Sequence, residues 1–302
     1  MKTKFILPVV LVVLSVSCNK NKSIQDEITH QTAPGGQTAN TVRFYVDPAT
    51  NSEDPEIRMA YALNIVPSWP DGGSILVNLP EHLEYMPGTM GIARHHDKRA
   101  NVWKVSADSA EASYDVESLT EPGVFFSVKA GAVNNRATFE VTIENRSKKI
   151  LRSIRPLFCF QYHLLKGFPV GLSDNFQHTY VVINGKPAKV SDRTVKKPDA
   201  YARMAQVKDC SDEHNWWAEE MGGFITQKID SGLTILTASN DERKVVLRWL
   251  PGKNFLSNSF IPCIHADPCM GDLAPGESRQ VKGELIFTSA LLDEVMAEFS
   301  AL

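Results

Sequence analysis

A strict alternation of apolar and polar side chains runs from Ala137 to Glu144. The apolar members are Ala137, Phe139, Val141 and Ile143, with threonines and glutamates between them. This period of two predicts a β-strand with one buried and one solvated face. The polar run Asn145–Lys149 predicts a turn, and a second strand is predicted from Ile150 to Tyr162, with Phe158, Phe160 and Tyr162 on one face.

Shorter runs of the same kind recur along the chain and are joined by polar turns. They predict strands at Val42–Val46, Arg58–Ile65, Ser74–Leu79, Trp103–Ser106, Ser113–Glu117, Val124–Ala130, Thr179–Ile183, Gly223–Ile229, Leu233–Ala238, Lys244–Leu250 and Gln280–Thr288. Asn184-Gly185 is a strong signal for a two-residue hairpin turn. Only the end of the chain has helical spacing, with Ser289 as a candidate N-cap. The pattern predicts an all-β fold, an antiparallel sandwich or barrel.

One domain over residues 41–302 is the simplest organisation, because no linker or repeat interrupts residues 42–290. Two smaller sandwiches joined near residues 192–200 are the alternative, since that segment is polar and contains Pro198.

The composition is that of a globular protein. The chain has 302 residues, 43% of them hydrophobic and 22% charged, and a formal net charge of -3. It lacks the basic excess of a nucleic-acid-binding protein, so no nucleic-acid partner is expected. The sequence motifs of α/β-hydrolase nucleophiles, phosphate-binding loops, zinc-protease helices and dinucleotide-binding turns are also missing, so those chemistries have no support.

The first 40 residues predict export. Lys2 and Lys4 precede a short apolar run, and Ser15-Val16-Ser17-Cys18 follows it. This order is typical of a lipoprotein signal peptide over residues 1–17, with Cys18 as the lipidated first residue of the mature chain. An ordinary secretory signal is the alternative. Residues 18–40 are nearly free of large apolar side chains and predict a flexible tether to a lipid membrane, so a bacterial membrane-anchored protein of the periplasm or cell surface is expected.

Four cysteines remain after Cys18: Cys159, Cys210, Cys263 and Cys269. Three pairings are open, and an exported protein permits disulfides. A Cys263–Cys269 disulfide would close a small loop, while buried free thiols are the alternative in a domain of this size.

The densest polar cluster is the segment Pro262–Cys269. If it is extended, Cys263, His265 and Asp267 project to one side. A thiolate, an imidazole and a carboxylate could ligate a divalent metal there. Alternatively, Asp267 could orient His265 as a catalytic acid–base pair, or the segment could be a purely structural loop closed by the disulfide.

Two further clusters are candidate ligand-binding sites. His95 and His96 lie in a charged run, and either could face His265 from a loop, although an exposed turn is the simpler interpretation. His214, Trp216 and Trp217 lie among carboxylates, a mixture that suits sugar recognition because an indole ring stacks on a sugar while carboxylates bond its hydroxyls. The structural alternative has one tryptophan in the core and the other at an edge.

Two segments carry a resemblance to a known family. The stretch Arg136–Phe160 resembles the strand, asparagine turn and strand of galactose-mutarotase-like (aldose 1-epimerase-like) β super-sandwiches, and Leu273–Glu277 with the following strand resembles the way those chains close. The resemblance implies a large antiparallel β super-sandwich with a short C-terminal helix, and a carbohydrate ligand. Phe158-Cys159-Phe160 stands where active epimerases of the family have a histidine, so no catalytic residue is carried over.

These observations predict an exported, lipid-anchored protein associated with carbohydrate binding or processing. Three hypotheses follow: a mutarotase-like carbohydrate-active enzyme using His265 and Asp267, a non-catalytic glycan-binding or structural lipoprotein of the cell surface, and a metal-binding exported protein.

Overall fold

The computed structural model describes residues 41–46, 62–86, 91–94, 103–106, 108–117, 122–170, 174–210, 223–259 and 261–299. These residues form two antiparallel β-sheets and little helix, which confirms the predicted all-β sandwich. They all fall within one compact unit, Ala39–Leu302.

The first sheet, sheet A, has eight strands. They are β1 (Arg43–Tyr45), β2 (Ala62–Val66), β3 (Ile75–Met86), β4 (Gly91–Arg94), β9 (Arg152–Gln161), β12 (Ala202–Gln206), β15 (Gly252–Asn258) and β16 (Cys263–Pro268). Their order is β1-β2-β3-β9-β16-β15-β12, and β4 pairs with β3 outside this path. Strand β9 therefore brings together β3 and β16, which are almost two hundred residues apart in the chain.

The second sheet, sheet B, has nine strands. They are β5 (Lys104–Val105), β6 (Ser109–Glu117), β7 (Pro122–Val133), β8 (Arg136–Asn145), β10 (Thr179–Ile183), β11 (Lys186–Lys189), β13 (Thr234–Thr237), β14 (Lys244–Leu250) and β17 (Ser278–Thr288), in the order β11-β10-β13-β14-β17-β8-β7-β6-β5.

Helical structure is limited among the described residues. It comprises α1 (Asp174–Gln177), a single 3-10 turn (Val190–Asp192) and α2 (Leu292–Phe299) near the C-terminal end. Helix α2 lies where the sequence predicts a helix, and its Val295 and Met296 are buried. None of the described helices has the length and apolar character needed to cross a membrane.

An aromatic cluster fills the main core between the sheets. The ring of Trp249 on β14 lies 4.6 Å from that of Phe158 on β9 and 5.9 Å from that of Phe139 on β8, measured between centroids. Gly283 on β17 makes room for the indole, because a Cβ there would lie 2.6 Å from the Trp249 ring. The apolar alternation along β8 and β9 thus supplies the core.

The predicted asparagine turn links the two segments that carry the family resemblance. Asn145 Oδ1 accepts hydrogen bonds from the Ser147 amide and hydroxyl at 2.9 and 2.7 Å. Its Nδ2 donates to the carbonyl oxygens of Lys149 and Leu273 at 2.8 and 2.9 Å. One buried side chain therefore closes the turn after β8 and fastens it to the segment before β17.

The sequence prediction is right for some elements and wrong for others. The Asn184-Gly185 hairpin between β10 and β11 is present, with φ of 54° and 72° at its two turn residues. The segment Gly223–Ile229 is not a strand; it makes only isolated bridges at Phe224, Ile225 and Ile229. Strands β12 and β15 are not predicted from the sequence. Strand β15 is buried almost throughout, so its sequence shows no alternation of apolar and polar residues.

Candidate functional site

The side of sheet A that faces away from sheet B carries a group of polar residues beside apolar ones such as Leu256, and we call it the outer face of sheet A. On β9, Phe158 and Phe160 enter the core between the sheets, so Cys159 points to the outer face. On β16, Ile264 and Ala266 enter the same core. Cys263, His265 and Asp267 therefore share the outer face with Cys159.

These polar side chains are buried rather than solvated. The buried polar set on the outer face is Asn78 on β3, Cys159 on β9, Asn254 on β15, and Cys263, His265 and Asp267 on β16. Each is between 1% and 3% exposed, which rules out an ordinary wet sheet surface. Burying polar groups is unfavourable unless they find partners, so this set calls for a specific explanation.

Two thiols and an imidazole form the centre of the outer face. The Sγ atoms of Cys159 and Cys263 and a ring nitrogen of His265 all lie within 4.8 Å of one another. Cys263 Sγ lies 3.6 Å from His265 Nε2. Strand register explains the contact: Cys263 is opposite Gln161 and Ile264 is opposite Phe160, so His265 comes opposite Cys159.

The three groups polarise one another. A hydrogen bond from Cys159, supported by the His265 imidazole, lowers the pKa of Cys263 to about 6. That same bond, together with burial, raises the pKa of the Cys159 thiol well above its usual range. Burial opposes a charge on His265, but the hydrogen bond and charge of Cys263 outweigh it and raise the histidine pKa to about 9. Both shifts favour the charged forms of Cys263 and His265.

Asp267 has a different task from the one the sequence suggests. Its Oδ1 accepts a hydrogen bond from the Phe158 amide at 3.0 Å, and its Oδ2 accepts one from Asn254 Nδ2 at 2.9 Å. Burial raises the pKa of Asp267, although these bonds and the His265 charge work against that rise. The carboxylate thus ties β16 to β9 and β15, and among the described contacts it does not orient His265.

Glu81 approaches the cluster from β3. Its Oε2 lies 3.9 Å from His265 Nε2, and its side chain is 21% exposed, so it connects the buried groups to the surface. The register of β3 against β9 shifts between Asn78 and His82, where β3 holds extra residues. Such a bulge re-aims side chains, and here it brings Glu81 onto the outer face.

Several buried polar atoms of the outer face lack a hydrogen-bond partner among the described residues. They are Asn78 Oδ1, Asn254 Oδ1 and His265 Nδ1. Each such atom costs about 1–3 kcal/mol when it is left unsatisfied. Unsatisfied atoms also occur elsewhere in the described part of the chain, for example Trp249 Nε1 in the core, but on this face they lie beside the buried thiols and imidazole.

The predicted residues have mixed outcomes. Cys263, His265 and Asp267 lie together on β16. Asp267 does not belong to the group of possible metal ligands, because both of its oxygens already accept hydrogen bonds. His95, His96, His214, Trp216, Trp217 and Cys18 lie outside the described residues.

The Cys263–Cys269 disulfide, one of the alternatives that the sequence leaves open, is wrong. Cys269 is bonded to Cys210, 59 residues earlier in the chain, while Cys159 and Cys263 are buried free thiols. The reason is that β16 carries Cys263 toward β9, whereas Cys269 follows the end of that strand.

Two members of the site are missed from the sequence. Cys159 lies between Phe158 and Phe160, and the alternation that places those rings in the core could have placed its thiol on the opposite face. Glu81 follows Pro80, which reads as the end of a strand although β3 continues to Met86.

No protein-family model matches this chain, and no curated protein matches it. Solved structures do match. The chain is similar to a galactose mutarotase-like protein from Clostridium acetobutylicum, at 10% identity over 77% of this chain and 94% of that one, with a TM-score of 0.42. It is also similar to a galactose mutarotase related enzyme from Lactobacillus acidophilus, at 11% identity over 77% and 96%, with a TM-score of 0.42.

A third similar structure is an alpha-mannosidase from Enterococcus faecalis, at 11% identity over 81% of this chain and 29% of that one, with a TM-score of 0.44. The likeness to galactose mutarotase-like proteins that the sequence indicates is thus also found among solved structures. No residue of this chain takes a role from them.

Proposed function

We propose that the outer face of sheet A binds carbohydrate, a neutral ligand rich in hydroxyl groups. The observation that carries the proposal is a pair of buried amide oxygens that have no partner among the described residues, Asn78 Oδ1 and Asn254 Oδ1. Sugar hydroxyls donate hydrogen bonds to such atoms, and a site with convergent polar groups is the usual design of a small-molecule pocket.

The half-buried residues of this face suit the same ligand. Glu81 and Gln161 are only partly covered, and both offer oxygen atoms that accept from adjacent hydroxyls. A polyanionic ligand is a poorer match, because the chain carries a net charge of -3 and Glu81 adds a carboxylate to this face.

Binding is tested by titrating the full chain with a panel of neutral mono- and oligosaccharides and recording ligand-observed NMR and calorimetry. Glu81→Gln should weaken binding of any hit by about tenfold to a hundredfold, because a hydrogen bond to a charged group contributes roughly 1.5–3 kcal/mol. The matched control is Glu111→Gln on the opposite sheet, an exposed glutamate, which should change nothing. Equal losses in both variants, or no binding across the panel, would overturn the proposal.

A second candidate is acid–base catalysis on that sugar, as in a mutarotase-like enzyme. Glu81 and His265 favour it, because a partly exposed carboxylate and a buried imidazole lie 3.9 Å apart. Polarimetry of freshly dissolved aldoses measures anomer interconversion directly. An unchanged rate with a sugar that binds would leave a binding protein without this activity.

We further propose export and lipid anchoring through Cys18. The support is the order of charged, apolar and small residues before Cys18 in the sequence. Cys18→Ala should move the expressed protein from the detergent phase to the aqueous phase of a detergent partition, with Glu111→Gln, an exposed position on sheet B, as the control. A Cys18→Ala protein that stays in the detergent phase would refute the anchor.

A further inference from the structure

The central cluster of the outer face has the composition of a zinc site. Cysteine thiolates and histidine imidazoles are the ligands that Zn²⁺ takes in tetrahedral protein sites. With zinc–sulfur and zinc–nitrogen bonds of about 2.3 and 2.0 Å, tetrahedral geometry sets the sulfur–nitrogen separation at about 3.5 Å. The Cys263 Sγ to His265 Nε2 distance is 3.6 Å.

The two thiols are placed as ligands rather than as a disulfide. Cys263 is paired with Gln161 on β9, so Cys159 is its diagonal neighbour two residues away. Diagonal neighbours in antiparallel sheets lie roughly 7–8 Å apart between Cα atoms. A disulfide needs Cα atoms closer than about 7 Å, whereas a bridging metal tolerates the wider spacing.

We propose that Cys159, Cys263 and His265 bind one Zn²⁺, with Glu81 as the fourth donor. Glu81 Oε2 is 3.9 Å from His265 Nε2 and lies at the solvent-facing side of the cluster, where an exchangeable ligand belongs. Asp267 is not a ligand, since its two oxygens accept from Phe158 and Asn254. Instead, it holds the strand that carries Cys263 and His265 in register with β9.

Zinc binding accounts for features that the fold alone leaves unexplained. Two thiols and an imidazole lie buried within 4.8 Å of one another, and a divalent cation held by all three supplies them with a common partner. Its binding releases protons, because cysteine ligates as the thiolate and histidine as the neutral imidazole. The zinc site shares Glu81 and His265 with the face proposed to bind sugar, but metal uptake is measured without any sugar, so the two proposals can fail separately.

Native mass spectrometry of the untagged full chain, purified without chelator and then given Zn²⁺, measures this uptake directly. We expect a mass increase of one zinc less two hydrogens, retained against a weak chelator. A folded protein that takes up no zinc while both thiols remain free would overturn the proposal. A mass two hydrogens lower, from a Cys159–Cys263 disulfide, would overturn it as well.

Single variants identify the ligands. Cys159→Ser and His265→Ala should each reduce zinc from one equivalent to none, whereas Asp267→Asn should keep it. His178→Ala is the matched control: this histidine contacts Thr237 on sheet B and should leave zinc at one equivalent. Retention by Cys159→Ser together with loss by Asp267→Asn would contradict the proposed ligand set.

Two measurements separate a lost site from a lost fold. Circular dichroism and thermal unfolding of each metal-free variant identify those that fail to fold, and the wild-type mass measurement does not depend on any variant.

The Glu81→Gln variant should still bind one zinc ion per chain, but with a Kd for zinc raised by about tenfold. An unchanged Kd would remove Glu81 from the ligand set.

Discussion

The outward faces of the two sheets differ in how their polar residues meet solvent. Across sheet B, strand register aligns Glu111, Lys129, Glu140 and Lys282 in a row of alternating charge. These side chains are exposed or half-buried, and the Lys129–Glu111 ion pair spans 3.7 Å with both side chains more than half exposed. Such a surface keeps the sheet soluble and contributes little to stability.

The outer face of sheet A carries polar residues of another kind. Thiols, amides, an imidazole and a carboxylate are buried there, and several of their atoms have no partner among the described residues. Solubility does not explain them, because each of these side chains is at most 3% exposed. The comparison teaches that polar character alone does not mark a site; polar character combined with burial and unmet hydrogen bonds does.

The largest expected effect concerns the cross-link beside this face. The Cys210–Cys269 disulfide spans 59 residues and joins the end of β16 to the segment after β12. The double variant Cys210→Ala, Cys269→Ala should lower the free energy of unfolding by about 4 kcal/mol. The reason is that a cross-link closing a loop of this length reduces the conformational entropy of the unfolded chain. Urea denaturation measures the loss. Zinc uptake should persist in the folded fraction, and its disappearance would make the cross-link part of the site.

The next effect separates the two faces directly. Asp267→Ala leaves the Phe158 amide and Asn254 Nδ2 buried without an acceptor, so we expect a loss of about 3 kcal/mol. Glu140→Ala on sheet B should stay within about 0.5 kcal/mol of wild type. Both values come from the same urea titration. Equal costs would abolish the distinction between the faces.

A smaller effect is expected at the turn that links the two family-like segments. Asn145→Ala removes buried hydrogen bonds to Ser147, Lys149 and Leu273 and should cost about 2 kcal/mol. Asn240→Ala in the exposed turn between β13 and β14 is the control, because it removes only local contacts with Glu242. Comparing the melting temperatures of the two variants tests this prediction. A larger fall in melting temperature for Asn240→Ala than for Asn145→Ala would contradict it.

The variant with the smallest expected effect on stability best separates sugar binding from folding. Asn78→Leu replaces a buried amide whose Oδ1 has no partner among the described residues by an apolar group of similar size. We expect stability within about 1 kcal/mol of wild type, or higher, together with weaker sugar binding. Strong destabilisation with unchanged binding would show that Asn78 serves the fold instead.

Much of the fold is predictable from local patterns. The alternation over Ala137–Glu144 predicts β8, and Asn184-Gly185 predicts its hairpin, because both signals lie within a few neighbouring residues. Strand β3 is predicted only as far as Leu79, since the bulge and Pro80 break its pattern while pairing with β9 carries it onward.

The site is less predictable, because its members meet through pairing between distant strands. Cys263 and His265 are two residues apart, and their shared face follows from the sequence once the segment is extended. Cys159 is 104 residues before Cys263, and only the pairing of β9 with β16 brings their sulfur atoms together. Likewise, Asp267 looks like a ligand in the sequence, whereas the fold uses it to join strands.

The most direct test of the account is X-ray absorption at the zinc edge of the zinc-loaded full chain. We expect a first shell of two sulfur atoms at about 2.3 Å and two lighter atoms at about 2.0–2.2 Å, from Cys159, Cys263, His265 and Glu81. A shell of nitrogen and oxygen atoms without sulfur would place the zinc elsewhere on the protein. That result would contradict the assignment of the outer face of sheet A as a metal site.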